Sequence, residues 1–164
     1  MSPITTGGLL IGVLCGIWTF VMGFTGWYKD PSKMAAFFVV ILIEVGGLIW
    51  VLRKTAAEGR TYSGQVVAGT LASIIAGVVI IAASLLFTSV VFTDYFAELE
   101  AGYRNILRQQ GKSDNEIASE IAAWLPSQTP MTQALNGFFG TFVTGVVVSA
   151  VVAIWIRARP PARV

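Results

Sequence analysis

Four long apolar stretches constrain the fold of this chain more than any other feature of its sequence. A run of about 20 apolar residues forms a helix that crosses the ~30 Å hydrocarbon core of a bilayer. Glu44 is the only acidic or basic residue within these stretches. We therefore predict an all-α membrane protein, a four-transmembrane-helix bundle in a single membrane domain. Its spans cover about residues 7–27, 34–52, 66–92 and 134–156.

The composition restricts the chemistry that such a bundle can perform. Hydrophobic residues make up 55% and charged residues 12% of the 164 residues, against about 25% charged in soluble domains. The chain has no histidine, no lysine within its spans and a single cysteine, Cys15, so a catalytic triad, a zinc site and a serine–lysine dyad are not expected. The formal net charge of +2 is too small for nucleic-acid binding. We expect a non-enzymatic protein without cofactor or metal, with the lipid bilayer as its main partner.

The links between the spans differ in length. A short polar link with the turn signal Asp30-Pro31 predicts that the first two spans form an antiparallel hairpin. The segment of about residues 93–126, between spans three and four, is predicted to be helical, and its apolar spacing continues span three outward as far as Gly111. Ser113-Asp114-Asn115-Glu116 then has the pattern of a capping box, which predicts a second short helix ending near Pro126. The apolar faces of the two helices are expected to lie on each other or on the bilayer. The alternative is a binding site for a lipid headgroup or a partner protein.

Basic residues near the span ends predict the orientation, because short loops rich in Lys and Arg tend to stay in the cytoplasm. Such residues occur on the link between spans two and three and on the C-terminal tail, whereas those on the other side are spread over longer segments and offset by carboxylates. We therefore expect both termini in the cytoplasm. We also expect the first span not to be cleaved off as a signal peptide, because it lacks the positively charged segment with which a signal peptide begins. The basic residues on the expected cytoplasmic side are Arg53, Lys54, Arg60, Arg157, Arg159 and Arg163.

Glu44 is the candidate functional carboxylate, because it would lie near the middle of span two. A charged carboxylate there costs about 3 kcal/mol or more, so the side chain is expected to face the bundle interior and to be protonated, hydrogen-bonded or hydrated. Three roles remain open: a proton or cation carrier, a hydrogen-bond donor between helices, and a contact with another membrane protein. The second role would use a hydroxyl of another span, with a gain of about 1 kcal/mol. The candidate hydroxyls are Thr70, Ser73, Ser84 and Thr144.

Small residues at four-residue spacing predict where helices approach each other closely. Gly8, Gly12 and Gly16 share one face of span one, and such a face allows another backbone to come near. We expect it to pack on span two or span four of the same chain, the alternative being the seam of a homodimer. Gly145 and Ser149 in span four present a similar small face, as do alanines of span three.

The order and spacing of several short motifs resemble a bacterial membrane-protein family known as domain of unknown function 4199, over nearly the whole chain. The resemblance implies a four-span topology. It implies no functional residue, because the family has no assigned activity. The motifs are Gly64-Gln65 with Gly69, the stretch from Phe92 to Phe96 that leads to the stretch from Gln109 to Glu116, and the stretch from Gly137 to Thr141 with Gly145 and Ser149.

Two functions from different classes follow as expectations. The first is a small accessory or scaffold protein of the bacterial inner membrane, which packs with a second copy or with a larger membrane complex. The alternative is a small proton-coupled transporter that uses Glu44, similar in logic to four-span multidrug carriers with one membrane glutamate. A polar, water-reachable cleft at Glu44 would favour transport, and a large dimer interface without such a cleft would favour the scaffold.

Overall fold

The computed structural model describes residues 1–29 and 31–157, apart from the side chains of Pro31, Ser32 and Met34. Within these ranges the chain forms six α-helices and no strand. The predicted turn residue Asp30 and the tail residues Arg159 and Arg163 lie outside the described residues. The helices are α1 (Pro3–Phe24), α2 (Val39–Ala57), α3 (Tyr62–Leu86), α4 (Tyr95–Gln109), α5 (Asp114–Trp124) and α6 (Pro130–Val152).

Four of these helices are long and apolar enough to cross a membrane, which confirms the predicted all-α, four-span fold. The spans are Pro3–Phe24, Ala35–Ala57, Tyr62–Val91 and Pro130–Val152. The second begins within a 3-10 segment, Pro31–Phe38, and the third ends in a π-helical turn, Phe87–Val91.

Three of the spans begin about four residues earlier than their hydropathy predicts, and polar side chains cap two of these starts. The side chain of Ser2 accepts a hydrogen bond from the backbone N–H of Thr5, and Pro3 occupies the first turn of α1. Thr129 caps α6 in the same way, with Pro130 in its first turn. Proline at a helix start costs no hydrogen bond, because the N–H groups of the first turn have no partner within the helix. A hydroxyl cap accepts a hydrogen bond from one of these free N–H groups. The capped first turns therefore add residues that the apolar pattern does not include.

The four spans run alternately up and down, and α3 packs against α1, α2 and α6. One end of the bundle carries the start of α1, the link between α2 and α3 and the end of α6, and we call it the terminal face. The opposite end carries the link between α1 and α2 together with the α4–α5 hairpin, and we call it the hairpin face.

The glycine row of α1 lies against α3, and not against α2 or α6 as the sequence suggested. A Cβ atom on Gly8 would lie 2.6 Å from the carbonyl oxygen of Ala72, and one on Gly12 would lie 2.8 Å from that of Ala76. Gly16 lies less tightly, with 3.1 Å to the Cβ of Ala83. The glycine row packs on the small face of span three. The sequence alone did not assign that face to a partner. The glycine face is therefore covered within one chain.

The lipid-facing surface of the bundle is formed by large apolar side chains at helical spacing on every span. Such a surface is stable in hydrocarbon and would be an aggregation hazard in water. Examples with exposed side chains are Leu10, Val13 and Ile17 on α1, Leu42 on α2, Val67, Leu71 and Val78 on α3, and Phe139, Val143, Val147 and Val151 on α6.

The apolar spacing suggested that the helix of span three continues into the outer segment. The α4–α5 hairpin is, however, not a straight continuation of span three. The helix breaks at Phe92, whose backbone leaves helical geometry. The break turns the Phe92 ring back toward α1, where it meets Phe24 edge-on at 5.2 Å between ring centroids; it also lies 4.5 Å from the Phe87 ring of span three. Burial of this aromatic cluster at the end of the bundle is the physical gain that offsets the interrupted helix.

The predicted second helix is present with its capping box. The Glu116 carboxylate accepts a hydrogen bond from the backbone N–H of Ser113 at 2.8 Å, and the Ser113 hydroxyl accepts one from the backbone N–H of Glu116. Its apolar face packs on α4, where Leu107, Ile117 and Ile121 form a small core. Of the two arrangements that the sequence favoured, the helices therefore adopt the one in which they pack on each other.

Candidate functional site

A large cavity lies inside the half of the bundle next to the hairpin face, and Glu44 forms part of its wall. Its volume is about 420 Å³, and all four spans contribute side chains. Each span presents one stripe at helical spacing. The stripes are Cys15, Gly16 and Thr19 on α1, Phe37, Phe38, Val40, Ile41 and Glu44 on span two, Ile80, Ala83 and Ser84 on α3, and Gln133, Asn136, Gly137, Gly140, Thr141 and Thr144 on α6.

Glu44 lies at the deep end of this cavity. Because neighbouring spans run in opposite directions, the lining residue farthest from the hairpin face is Cys15 on α1, Glu44 on α2, Ile80 on α3 and Thr144 on α6. These four side chains define the level at which the cavity ends, close to the middle of the spans. The carboxyl group therefore lies at the deep end of a cavity that extends from there toward the hairpin face.

The surroundings of the Glu44 carboxyl are neutral. The side chain is 4% exposed, and the Ser73 hydroxyl donates a hydrogen bond of 3.5 Å to its Oε1. None of the described lining residues is Lys or Arg, and the chain contains no histidine. A carboxylate without a counter-ion inside a membrane is costly. The site is therefore suited to a proton or to a positively charged ligand, and it disfavours anions.

Directly below Glu44 the bundle is closed toward the terminal face by two reciprocal glycine–serine contacts between α3 and α6. The Ser73 side chain occupies the space where a Cβ of Gly145 would be, and the Ser149 side chain occupies the space where a Cβ of Gly69 would be. Each serine thus fills the gap left by the glycine on the other helix, so the two backbones approach closely. Ser149 Oγ is buried and has no hydrogen-bond partner among the described residues.

The remaining walls are mostly apolar, with a small number of polar groups. Thr19, Ser84 and Thr141 contribute hydroxyls partway along the cavity, and Gln133 and Asn136 contribute carboxamides nearer the hairpin face. Drug-sized ligands bind in cavities of about 300 to 1,000 Å³ lined in this way, with apolar contacts that supply affinity and a few polar groups that fix orientation. The cavity is large enough for such a molecule.

A much smaller void, about 40 Å³, lies between the main cavity and the first turn of α4. It shares Thr19, Phe37, Ser84 and Gln133 with the main cavity, and its far wall includes Tyr28 and Tyr95. The void therefore lies between the cavity and the aromatic cluster at the hairpin face.

Glu98 ties α4 to the link between α1 and α2. The Lys29 ammonium lies 2.7 Å from Glu98 Oε1, and the Tyr28 hydroxyl donates a hydrogen bond to Glu98 Oε2. These hydrogen bonds, first that from Lys29 and then that from Tyr28, hold the pKa of the Glu98 carboxyl below its ordinary value. Burial and the neighbouring carboxylate raise the pKa of Tyr28, and burial raises the pKa of Tyr95.

The structure places the sequence-predicted residues in the cavity around Glu44, in the contact of α3 with α6 below it, and in the contact of α1 with α3. Glu44 faces the interior, and of its four candidate hydroxyls Ser73 is the one bonded to it. Ser84 and Thr144 line the cavity with Glu44, whereas Thr70 lies outside the lining that the structure describes. Gly145 and Ser149 form the closure below Glu44, while the glycine row of α1 packs on α3.

Sequence reasoning missed the polar stripe of α6. Gln133, Asn136, Thr141 and Thr144 recur at three- to five-residue spacing within a span, which places them on one side of the helix. Polar residues on one side of a transmembrane helix face the bundle interior or a cavity, and this signal could have identified the wall opposite Glu44. Among the described residues there is no group of three or more His, Cys, Asp or Glu side chains that could hold a metal ion.

Comparison with known proteins identifies the family. The sequence model of the family described as Protein of unknown function (DUF4199) matches residues 6–158. The chain therefore belongs to this family, as its motifs suggested. No curated protein and no solved structure matches the chain.

Proposed function

We propose that this member of the DUF4199 family is a small proton-coupled transporter that binds an organic cation at Glu44. The observation that carries the proposal is the position of Glu44 at the deep end of a cavity of about 420 Å³ within the spans. The criterion for transport over a scaffold role was a polar, water-reachable cleft at this residue; the cavity lies at Glu44, and its walls are mostly apolar with a few polar groups.

The charge balance of the site supports a cation. An ionised Glu44 costs about 3 kcal/mol or more at this depth, and no described lining residue is a Lys or Arg that could offset that cost. Either a proton or a bound cation can offset it. Because both neutralise the same carboxylate, they compete, and competition at one site is what couples cation movement to proton movement.

The shape of the site supports transport because its two ends differ. The cavity reaches from near the hairpin face down to Glu44, and the contacts of Ser73 with Gly145 and of Ser149 with Gly69 close the bundle on the terminal side. Transport would require a second state in which α3 and α6 separate at these contacts while the cavity closes near the hairpin face.

The scaffold role is the second candidate, and the observation that favours it is the exposure of α6. This helix is the least buried of the four spans, with a stripe of apolar side chains that includes Phe139, Val143 and Val147 on its outer side. A second copy or a larger membrane complex could pack on this stripe. The role makes no use of the cavity at Glu44, and we rank it second for that reason.

The proposed location is the inner membrane of a bacterium, with both termini in the cytoplasm. Its support is the arrangement of basic residues: Arg53, Lys54, Arg60 and Arg157 lie at the terminal face, as the positive-inside rule requires for that orientation.

The proposal is tested by cation binding to the full chain in lipid nanodiscs, with tetraphenylphosphonium as the probe. We expect saturable binding by the wild type and at least a tenfold loss of affinity in Glu44→Gln, which keeps the size of the side chain and removes its charge. Glu58→Gln is the matched control, because Glu58 is an exposed carboxylate at the terminal face. Equal binding by Glu44→Gln and the wild type would overturn the proposal, and so would the absence of saturable binding by the wild type.

A further inference from the structure

We propose that the ligand is an amphiphile dissolved in the bilayer, with a cationic head, which enters the cavity sideways through a gap between α2 and α6. This inference rests on the cation site proposed at Glu44 and adds the route and the class of ligand. We call the gap the portal and define it by Phe38, Ile41, Asn136 and Gly140.

The portal residues belong to the cavity and to the outer surface at once. All four line the cavity, and all four are exposed, as is Phe37, whereas the other lining residues are buried or half-buried. A wall residue that is also exposed marks an opening. Two of the residues are on span two and two are on α6, so the opening lies between these helices.

The contacts between α2 and α6 explain why a gap is left. At the level of Glu44 a Cβ of Gly145 would lie 3.4 Å from Glu44 Oε1, so the two helices meet there. Nearer the hairpin face, by contrast, a Cβ atom on Gly140 would have no atom within 4 Å. The two helices therefore meet at Glu44, and the space beside Gly140 is open.

The depth of the portal decides what it opens into. Its residues lie within the spans Ala35–Ala57 and Pro130–Val152, and so below the membrane surface. The neighbouring exposed side chains are large and apolar, with Leu42 71% and Phe139 57% exposed. A portal at this depth and with these neighbours opens into the acyl chains of one leaflet.

The alternative route from water is narrow. The void between the cavity and the first turn of α4 is about 40 Å³, a tenth of the 420 Å³ of the cavity. Phe87, at 4% exposure, and Tyr95 form part of its wall. Water fits a void of this size, whereas an organic cation does not.

The distribution of polar groups along the portal route fits an amphiphile. The Asn136 carboxamide at the portal could hydrogen-bond a polar head as it leaves the headgroup region, and Glu44 would receive its charge at the deep end. The intervening walls are apolar, with Ile41 and Ile80 among them. A head at Glu44 and a chain that extends through the portal into lipid would match these walls.

The test uses two helical glycines, one on span two and one on span four, at which an added side chain would enter open space. Gly140 is in the portal, and Gly46 is exposed on α2 outside the cavity lining; a Cβ on either would have no atom within 4 Å. Gly140→Trp should obstruct the portal, and Gly46→Trp is the matched control. The readout is the rate at which radiolabelled dodecyltrimethylammonium binds to and leaves the full chain in nanodiscs.

We expect Gly140→Trp to slow both association and dissociation at least tenfold with little change in the equilibrium affinity, and Gly46→Trp to behave as the wild type. Wild-type rates in Gly140→Trp, together with lost binding in Glu44→Gln, would overturn the portal and leave the cation site intact. Wild-type binding in Glu44→Gln would overturn the cation site itself. If Gly140→Trp abolishes binding, Gly140→Leu decides: slow rates with wild-type affinity support the portal, and any other result overturns it.

Discussion

The Ser73 hydroxyl of α3 lies 3.5 Å from Oε1 of Glu44 on α2 and donates a hydrogen bond to it. This distance is at the long limit for a hydrogen bond, so the bond is weak. One weak bond holds the carboxyl at the bottom of the cavity without neutralising it. The carboxyl is therefore free to exchange this partner for a proton or a ligand, which a firmly paired carboxylate could not do.

Gly145 is essential for the contact between α3 and α6, because Ser73 occupies the space that its side chain would need. We predict that Gly145→Ala lowers the free energy of unfolding by about 1 to 3 kcal/mol, the usual cost of overpacking. The measurement is unfolding of the protein in mixed detergent micelles.

Two variants serve as controls for Gly145→Ala. Gly46→Ala introduces the same methyl group into open space and should leave the stability equal or slightly higher, since alanine favours helices by about 0.5 to 1 kcal/mol. Adding Ser73→Gly to Gly145→Ala should restore much of the loss, because it empties the occupied space. Equal stability of Gly145→Ala and Gly46→Ala would contradict the packing described for α3 and α6.

The glycines of α1 should differ in their sensitivity to substitution. A Cβ added to Gly8 or Gly12 would lie 2.6 or 2.8 Å from a backbone carbonyl of α3, whereas one added to Gly16 would meet the Cβ of Ala83 at 3.1 Å. Backbone cannot move aside as a side chain can, so Gly8→Ala and Gly12→Ala should each cost about 1 to 3 kcal/mol and Gly16→Ala clearly less. Thermal unfolding in detergent compares the three, and a larger loss in Gly16→Ala than in Gly12→Ala would refute this order.

The sequence predicted the spans, the capping box at Ser113 and the inward direction of Glu44, because each depends on nearby residues. The length of an apolar run predicts a membrane span, and a four-residue motif predicts a helix cap. The cost of exposing a mid-span carboxylate to lipid forces it inward. The family was likewise identified from the order and spacing of local motifs.

The partner of the glycine row and the cavity were beyond the sequence, because both depend on how helices are placed relative to one another. Three spans carry small-residue faces, and the residues near Gly12 in the sequence do not indicate which of the other faces it packs against. The cavity lies among all four spans, with α2 and α6 in contact at Gly145 and open space at Gly140, and no local pattern in either helix signals this arrangement. The helix break at Phe92 was missed for a related reason, since it is stabilised by aromatic rings of α1 that are distant in sequence.

The contact of Glu98 with Lys29 and Tyr28 should make the attachment of α4 depend on pH. The folded-state pKa of Glu98 is lowered, so its contribution is complete above the ordinary value of 4.5 and is lost as the pH falls through the lowered pKa. The pKa of Tyr28 is raised, so the contribution of its proton is complete below the ordinary value of 10.0 and is lost as the pH rises through the raised pKa.

Hydrogen exchange of the first turn of α4 measures this attachment. Because the pair is exposed, it is worth about 1 kcal/mol at most, so Glu98→Gln should speed exchange there by up to about fivefold near neutral pH. Glu100→Gln is the matched control, since Glu100 pairs with Arg104 within α4. Equal exchange in both variants would show that Glu98 does not hold α4 in place.

The proposed orientation can be tested with single cysteines, since Cys15 is the only native one. In a Cys15→Ser background, Glu58→Cys places a thiol at the terminal face and Asn105→Cys places one on α4, and both positions are exposed. A membrane-impermeant maleimide added to intact cells should label Asn105→Cys alone, because the positive-inside rule puts the terminal face in the cytoplasm. Labelling of Glu58→Cys alone would reverse the orientation.

Competition between a cation and a proton for Glu44 is the core of the proposed mechanism, and proton release on ligand binding measures it. Protein in nanodiscs, in weakly buffered solution with a pH indicator, is mixed with tetraphenylphosphonium at several values between about pH 5 and about pH 9. By linkage, binding should release up to about one proton per cation bound, and the affinity should rise with pH wherever release occurs. Glu44→Gln should release none. Cation binding by the wild type without proton release at any pH would show that the two do not compete at Glu44.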